Sequence, residues 1–483
     1  MLLKKVFVNT TPVLSQLIIN IVSVPLFVGI LGENKYGVYL LFVSIIAGLS
    51  IFQIGIPKIV IRGIAGAKNK GDYSGILLNG TISSLITACF GSAVLLFVEL
   101  LFGIFLKSYP DIPFWFLVAF SPVYYAFSII SSYLIGRERY KTNGYLLIII
   151  NTTSVVMALC LAWLKVDLTY IIICSWSVKL FIFVLFWILE FKELRLNSNL
   201  EFNLLKDNRS TSLWISFGMI SSVLIIHFDQ IIISSIGIAS LMTIYKVIIT
   251  PYDVLQNISR GVLGVTLPRI SKASIKGPRV RFKYVLLLQK RISFFLYSLS
   301  LVAAIMSKSF IKFWMPQYSD FSEMTVILCL FFGLVSSSAV FYNFFISIDR
   351  LKTVSIFQLV LAMVNVSIGY LTTDIFSWKS VIYANFLTFS ISFYCFAYYY
   401  FYIEKSIRFF KNWLLLNFKY LFIATFAFFL STIISLSNIF SFLAVSFVIS
   451  IIVLLLLDLL LYNLKTTVFA LRKSGLFKNK RTC

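Results

Sequence analysis

Charged residues are scarce in this chain of 483 residues, and their scarcity excludes a soluble protein. Asp, Glu, Lys and Arg together make up 12% of the sequence, whereas hydrophobic residues make up 60%. A soluble domain uses charge for about a quarter of its residues. The chain therefore has too little charge to cover a water-exposed surface, and most of its surface is expected to face lipid.

Metal ligands and catalytic motifs are equally sparse. His227 is the single histidine, and the six cysteines are dispersed without a C-x-x-C pair. This composition predicts no conventional metal site. The sequence also contains no G-x-S-x-G, no Walker loop and no H-E-x-x-H. We therefore expect no catalytic residue, no cofactor and no enzymatic activity.

Acidic residues are the scarcer charge, with 18 Asp and Glu against 42 Lys and Arg. In a soluble protein this excess would suggest a nucleic-acid partner. Here the basic residues lie mostly in short segments between apolar runs, as the positive-inside rule predicts for a membrane protein. We therefore expect no nucleic-acid binding.

Long apolar runs dominate the rest of the sequence. About twenty apolar residues form a helix that crosses a bilayer. Runs of this length predict an all-α polytopic membrane protein with about fourteen transmembrane helices. The predicted spans are 11–31, 37–57, 76–105, 113–135, 145–163, 169–189, 213–236, 240–266, 284–307, 324–348, 354–371, 379–400, 418–436 and 439–461.

The basic residues alternate between the two sides of these spans. When the first two residues of a span are counted with the adjoining segment, thirty-one of the 42 fall on the side of the N-terminus, six fall on the opposite side and five lie within spans. This asymmetry predicts that both termini lie in the cytoplasm.

A polar stretch and a weak internal repeat predict the domain organisation. Arg139–Thr142 and Arg350–Thr353 share the pattern R-x-K-T and follow the fourth and tenth spans. The repeat predicts two lobes of the same orientation. The boundaries are a six-helix lobe at 1–189, a cytoplasmic linker at 190–211, a six-helix lobe at 212–400, and two additional helices with a basic cytoplasmic tail at 401–483.

Charged side chains within a span are costly, so those that are present are candidates for function. Lys246, Asp253 and Arg260 are spaced seven residues apart in the eighth span and share one helix face with Asn257. This pattern predicts a cationic, hydrated stripe that lines a central cavity, in which Lys246, Arg260 and Asn257 bind substrate. Asp253 is expected to serve in coupling or pairing instead. The alternative is that Lys246 and Arg260 extend to opposite interfaces while Asp253 pairs with a neighbour.

Other candidates lie in four further spans. Asp229, in the seventh span, could pair with a basic group of the eighth span or carry a coupling proton or ion, and His227 is a second candidate for proton relay or for packing. The substrate-binding candidates in the remaining spans are Lys179 near the middle of the sixth span, Gln16 and Asn20 in the first, and Lys58 and Arg62 at the end of the second. For Lys58 and Arg62 the alternative is extension into the cytoplasm.

Five stretches resemble bacterial polysaccharide transporters. They are Leu31–Tyr39, which carries the G-x-x-x-Y-G-x-Y turn, Gly55–Arg62, Asp229–Ile233, the run from Tyr245 to Ser271, and Trp314–Tyr318. On these residues the chain is similar to Wzx-type flippases of O-antigen and other polysaccharide repeat units, in the polysaccharide transporter family of the MOP exporter superfamily. The absence of charge from the first span differs from the related lipid II flippases.

This resemblance implies a fold and a function. It implies alternating access that carries an undecaprenyl-diphosphate-linked oligosaccharide outward across the bacterial cytoplasmic membrane. It also implies a basic cavity, which Lys246 and Arg260 would supply, and a polysaccharide polymerase and chain-length machinery as further partners. Two alternatives remain open, which are a membrane-embedded polysaccharide polymerase or ligase and an ion-coupled multidrug antiporter of the same fold.

Overall fold

The structure is a computed structural model that describes most of the chain. It describes residues 2–53, 55–66, 70–102, 109–192, 209–236, 238–264, 266, 270, 273–274, 277–348, 350–405, 407–433, 445–446 and 448–453. Over these residues the regular structure is helical, and no strand occurs among them.

Fourteen helices longer than ten residues form the described fold. They are α1 (Leu2–Leu31), α2 (Glu33–Leu49), α3 (Ile56–Gly66), α4 (Lys70–Phe102), α5 (Phe114–Gly136), α6 (Tyr140–Trp163), α7 (Leu168–Lys192), α8 (Arg209–Ser235), α9 (Ala239–Gly264), α10 (Pro278–Trp314), α11 (Ser322–Ser347), α12 (Leu351–Leu371), α13 (Ser380–Ile403) and α14 (Ile407–Ile433). The shorter elements are Ser50–Gln53, Pro316–Phe321, Thr373–Phe376 and Ser377–Lys379.

Eight of the described stretches are long and apolar enough to cross a membrane by length and composition. They are Glu33–Gln53, Tyr73–Leu101, Phe114–Gly136, Tyr140–Trp163, Leu168–Lys192, Pro278–Trp314, Lys352–Leu371 and Thr373–Ile403. Large apolar side chains on the helices stay exposed, among them Leu100 and Trp163 at 75% and Phe422 at 78%. Such surfaces are stable against lipid rather than water. The prediction of an all-α polytopic membrane protein is confirmed.

Of the fourteen predicted spans, the first thirteen coincide with described helices, and the fourteenth (439–461) lies largely outside the described residues. The second predicted span is wrong in its extent. It was expected to run over 37–57, but α2 ends at Leu49, a 3-10 turn follows, and Gly55 adopts a positive φ of 68°. Gly55 directly precedes α3, where its backbone oxygen accepts a hydrogen bond from the N–H of Ile59 at 3.2 Å. Glycine adopts a positive φ without steric cost. Lys58 and Arg62 therefore lie on the separate helix α3.

The chain forms two compact units. The first unit comprises Met1–Val247 and Arg350–Thr388, so it holds α1 to α8, the first residues of α9, α12 and the start of α13. Within it α8 packs against both α2 and α12. Its core includes Leu77, Ile129 and Tyr133, which are fully buried.

The second unit comprises Ile248–Asp349 and Phe389–Cys483. Within it α10 packs against α11 and α14, and its core includes the stacked rings of Tyr297 and Tyr420, whose centroids are 3.8 Å apart. The lobe boundaries inferred from the sequence remain predictions, because most of the 190–211 linker lies outside the described residues. Arg139 and Arg350 each immediately precede a helix, α6 and α12 respectively.

The start of α2 makes a backbone-to-backbone contact within the first unit. A Cβ atom added to Gly37 would overlap the backbone oxygen of Ala239, the first residue of α9. The hydroxyl of Thr243 donates a hydrogen bond of 2.7 Å to the backbone oxygen of Glu33 at the same junction. Only glycine permits this approach without a shift of the backbone.

Partly buried ion pairs join helix ends within each unit. In the first, the Glu190 carboxylate accepts from Nη1 of Arg137 at 3.2 Å and from Nη1 of Arg139 at 2.5 Å. In the second, Nη2 of Arg281 lies 2.7 Å from the carboxylate of Glu404. Burial raises the pKa of the Glu404 carboxyl, and the charge of Arg281 opposes that rise.

Candidate functional site

A carboxylate is buried among the helices of the first unit. Asp229 lies on α8 and is 2% exposed. Its Oδ2 atom accepts hydrogen bonds from the hydroxyl of Tyr245 on α9 at 2.6 Å and from Nδ2 of Asn385 on α13 at 2.7 Å. The three side chains bring α8, α9 and α13 to one point.

The hydrogen-bond network continues beyond Asp229. Oδ1 of Asn385 accepts from Nδ2 of Asn365 on α12 at 2.9 Å, and the same nitrogen of Asn365 donates to the Thr388 hydroxyl at 2.8 Å. Thr388 in turn donates to the backbone oxygen of Ala384 at 2.7 Å. Asp229, Asn365, Asn385 and Thr388 are all buried. Buried polar groups of this kind hold a carboxylate in a fixed position.

The donors around Asp229 are neutral. Among the residues that the structure describes, no basic side chain forms an ion pair with Asp229. Its pairing with a basic group of the eighth span stays a prediction, because the side chain of Arg260 lies outside the described part of the structure. A hydroxyl and an amide can hydrogen-bond a carboxylate but cannot neutralise it. The arrangement therefore leaves Asp229 suited to binding a proton or a small cation.

A cation lies near the middle of α7 in the same unit. The ammonium of Lys179 is 3.9 Å from the ring centroid of Trp176, one turn earlier on the helix. This contact stabilises the cation through the quadrupole of the ring. The described part of the chain offers Lys179 no carboxylate partner.

The indole of Trp176 adds a second donor beside this ammonium. Trp176 is 4% exposed, and its Nε1 has no hydrogen-bond partner among the described residues. Most buried donors in proteins are satisfied, so one that is not requires an explanation. Two donors without an acceptor, one of them charged, form a site suited to an anionic oxygen.

Aromatic rings hold Trp176 in place. Its ring makes edge contacts with Phe42, Phe120 and Tyr124, at centroid distances of 5.8, 6.3 and 5.4 Å. Rings packed edge to face are rigid anchors. The position of the indole N–H is therefore fixed before any ligand binds.

The remaining predicted site residues are only partly described. Lys246, Asp253 and Asn257 are half-buried on the continuous helix α9, which also contains Pro251. His227 is half-buried on α8, Asn20 is half-buried on α1, and Lys58 is exposed on α3. The side chains of Gln16, Arg62 and Arg260 lie outside the described part of the structure. The cavity assigned to these residues remains a prediction.

Sequence reasoning missed five residues of these two sites as site residues. They are Tyr245, Asn365, Asn385 and Thr388 of the Asp229 network, and Trp176 beside Lys179. The two asparagines carried a usable signal, since each is a polar residue inside an otherwise apolar span. Trp176 also carried one, because it lies three residues before a charged residue on the same helix face.

The long apolar helices and the buried, uncompensated charges define a polytopic membrane protein with polar sites among its helices. The chain belongs to the polysaccharide biosynthesis protein family, whose model matches residues 2–274, more than half of the sequence. Among curated proteins, none matches this sequence significantly.

Solved membrane transporters share this fold. The chain is similar to the lipid II flippase MurJ in an inward closed conformation, with a TM-score of 0.59 and 15% identity over 97% of this chain and 100% of that one. It is also similar to an inward-facing multidrug resistance MATE family transporter of the MOP superfamily, with a TM-score of 0.51 and 14% identity over 81% of this chain and 96% of that one. At these identities the likeness concerns the fold alone.

Proposed function

We propose that this protein is a flippase. It translocates undecaprenyl-diphosphate-linked oligosaccharide repeat units, of O-antigen or a related surface polysaccharide, from the cytoplasmic to the outer face of the bacterial cytoplasmic membrane by alternating access. Both termini lie in the cytoplasm. Family membership supports the polysaccharide part of this proposal, and the fold supports the transporter part.

The pair of Lys179 and Trp176 is the observation that carries the proposal. A diphosphate does not cross hydrocarbon unaided, because transfer of an ionised group into an apolar medium is very costly. An ammonium and an indole N–H without acceptors, near the middle of α7, can compensate phosphate oxygens there. The lipid tail stays in the bilayer while the head group passes along the polar site.

The other predicted residues complete this proposal. Lys246 and Arg260 supply further positive charge to the predicted central cavity, and Asp253 orients or pairs with one of them. Asp229, with its neutral partners, carries the coupling proton or cation. The polysaccharide polymerase and the chain-length machinery receive the product on the outer face.

Two rival functions differ in what they require of these residues. An ion-coupled multidrug antiporter also uses a buried carboxylate such as Asp229, but a cationic drug would be repelled by Lys179. A polysaccharide polymerase or ligase works on the outer face and needs an active site there. We infer a transporter rather than an enzyme, because the Lys179 and Trp176 pair lies within Leu168–Lys192, which is long and apolar enough to cross a membrane.

The test replaces Lys179 and follows export of the lipid-linked intermediate in a flippase-deficient strain. Lys179→Gln is expected to reduce export by about tenfold or more, because a charge-assisted hydrogen bond contributes about 1.5–3 kcal/mol. Lys179→Arg is expected to retain part of the activity, because it keeps both the charge and the contact with Trp176.

Lys308→Gln is the matched control, since Lys308 pairs with the exposed Glu323. Protein levels are measured by immunoblotting, and the sidedness of the intermediate is measured after extraction. Lys246→Gln and Arg260→Gln test the cavity in the same assay. If the Lys179, Lys246 and Arg260 variants each export at the parental rate, the cationic site is overturned. If the wild-type protein exports no lipid-linked saccharide, the proposed function is overturned.

A further inference from the structure

A cavity of about 600 Å³ opens at one end of the first unit. It is lined by the start of α2, the connection between α4 and α5, and the start of α7. Its polar lining residues are Lys35, Asp111, Asp167, Thr169 and Tyr170. All of these residues lie on the side that the distribution of basic residues predicts to be external. A cavity of this volume is in the range of small-ligand sites.

The rim of this cavity is fixed by hydrogen bonds. Thr169 donates to the backbone oxygen of Asp111 at 3.1 Å, which ties the start of α7 to the connection before α5. Tyr109, in the same connection, is buried, and its hydroxyl donates to the backbone oxygen of Ser234 at 2.7 Å. The cavity is therefore formed before a ligand arrives, which lowers the entropic cost of binding.

The charged groups of the cavity are available to a ligand. Lys35, Asp111 and Asp167 are exposed, and none of them forms an ion pair with another described residue. Two carboxylates against one ammonium give the lining a net negative charge, which disfavours a phosphate or another anion. A divalent cation is also a poor match, because Ca²⁺ requires six to eight oxygen ligands and the ammonium opposes it.

A neutral, hydroxyl-rich ligand matches the whole set. Carboxylates accept hydrogen bonds from hydroxyl groups, and an ammonium donates to hydroxyl and ring oxygens. Tyr170 is 59% exposed, so its ring offers an apolar face to the C–H face of a sugar. This combination of acceptors, a donor and an open aromatic face is suited to a saccharide.

We infer that this cavity binds the oligosaccharide head group of the substrate on the outer side of the membrane. The inference rests on the proposed function, which supplies a saccharide at this face. The site is separate from the Lys179 pair, which meets the diphosphate. Binding here stabilises the state in which the head group has reached the outer side, and so shifts the equilibrium toward translocation.

The test measures binding by the full-length protein in lipid nanodiscs. The probe is the water-soluble saccharide released by mild acid from the lipid-linked intermediate of the cells that supply the gene, and isothermal titration calorimetry reports its Kd. The double variant Asp111→Asn, Asp167→Asn and the variant Tyr170→Ala are each expected to weaken binding by about tenfold, since each removes interactions of about 1–2 kcal/mol.

Two controls accompany these variants. Asp320→Asn removes an exposed carboxylate of another predicted external segment. Tyr370→Ala removes a tyrosine that is also 59% exposed. Both are expected to bind the saccharide with the wild-type Kd.

The outcomes separate this inference from the proposed function. Wild-type export together with saccharide binding that is absent, or equal in all variants, would overturn the inference and leave the flippase proposal intact. Binding of calcium chloride or of inorganic diphosphate alone, lost in the Asp111 and Asp167 variant without any saccharide binding, would overturn it as well. A wild-type protein that exports no lipid-linked saccharide overturns the proposed function and this inference with it.

Discussion

Tyr245 donates a hydrogen bond of 2.6 Å to Asp229, and this hydroxyl and the Asn385 amide are the hydrogen-bond donors to that carboxylate among the described residues. A tyrosine hydroxyl fixes a carboxylate without neutralising it. The first unit thus holds a carboxylate at Asp229 and an ammonium at Lys179 that are not paired with each other. Each charge costs about 2.5–3.5 kcal/mol on insertion scales, so each is expected to serve the transport cycle.

The first prediction concerns the Asp229 charge. Asp229→Asn keeps the size of the side chain and an oxygen that accepts from Tyr245 and Asn385, so the protein is expected to insert and fold normally. Export is expected to fall by about tenfold or more, because only the negative charge is lost. Complementation with immunoblotted protein levels measures this, with Asp374→Asn, an exposed carboxylate, as the control. Parental export would assign Asp229 to packing alone.

The second prediction concerns the ion pairs of Glu190. Glu190→Gln is expected to destabilise the protein by about 1–3 kcal/mol. Loss of one partner from a fully buried ion pair costs about 3–5 kcal/mol, whereas loss of an exposed pair costs about 1 kcal/mol or less. The side chain of Arg137 is 18% exposed and that of Arg139 is 36% exposed. Arg137 also donates to the Tyr133 hydroxyl at 2.8 Å and lies over the Tyr73 ring.

Arg137→Gln is therefore expected to lower the Tm more than Arg139→Gln. Thermal unfolding followed by fluorescence-detected size exclusion ranks the three variants. An equal Tm for both arginine variants would show that the additional contacts of Arg137 contribute nothing to stability.

The third prediction concerns Gly37. Gly37→Ala places a methyl group against the backbone oxygen of Ala239 and is expected to cost about 1–3 kcal/mol, as overpacking does. Gly48→Ala, on the same helix, meets nothing within 4 Å and is expected to be neutral or slightly stabilising. The measurement is the Tm of each variant, and Gly37→Ala is expected to have the lower one. A similar Tm for both variants would mean that α2 and α9 move apart at this point at little cost.

The fourth prediction concerns orientation. Cysteine labels in the 190–211 segment and in the 465–483 tail are expected to react only from the cytoplasmic side, and labels at Lys35 or Tyr318 only from outside. A membrane-impermeant maleimide on intact cells and on lysed cells measures this. Labelling of the tail from outside would contradict the count of fourteen spans.

Hydropathy predicted the helices. In lipid every backbone polar group must be hydrogen-bonded within the protein, and a long apolar segment meets this requirement by forming a helix. Local backbone detail was not predictable in the same way. The end of α2 at Leu49 lies within a run that is apolar from Ile45 to Ile54 apart from two polar residues, so hydropathy gives no signal of it.

The candidate site was predicted in part. Asp229 and Lys179 stood out because charge is rare within spans. Their partners did not, since Asn385 is 156 residues from Asp229 in the sequence and becomes its neighbour only through the packing of α8 and α13. The sequence shows that a charged residue lies within a span, but it does not identify the distant residue that contacts that charge.

Gly37 has a further consequence for motion within the first unit. With no side chain between the backbone of α2 and the backbone oxygen of Ala239, the two segments have no layer of side chains along which to slide. Any rearrangement there is therefore expected to pivot about the contact at Gly37, in the second turn of α2, and to move the far end of the helix at Leu49 further.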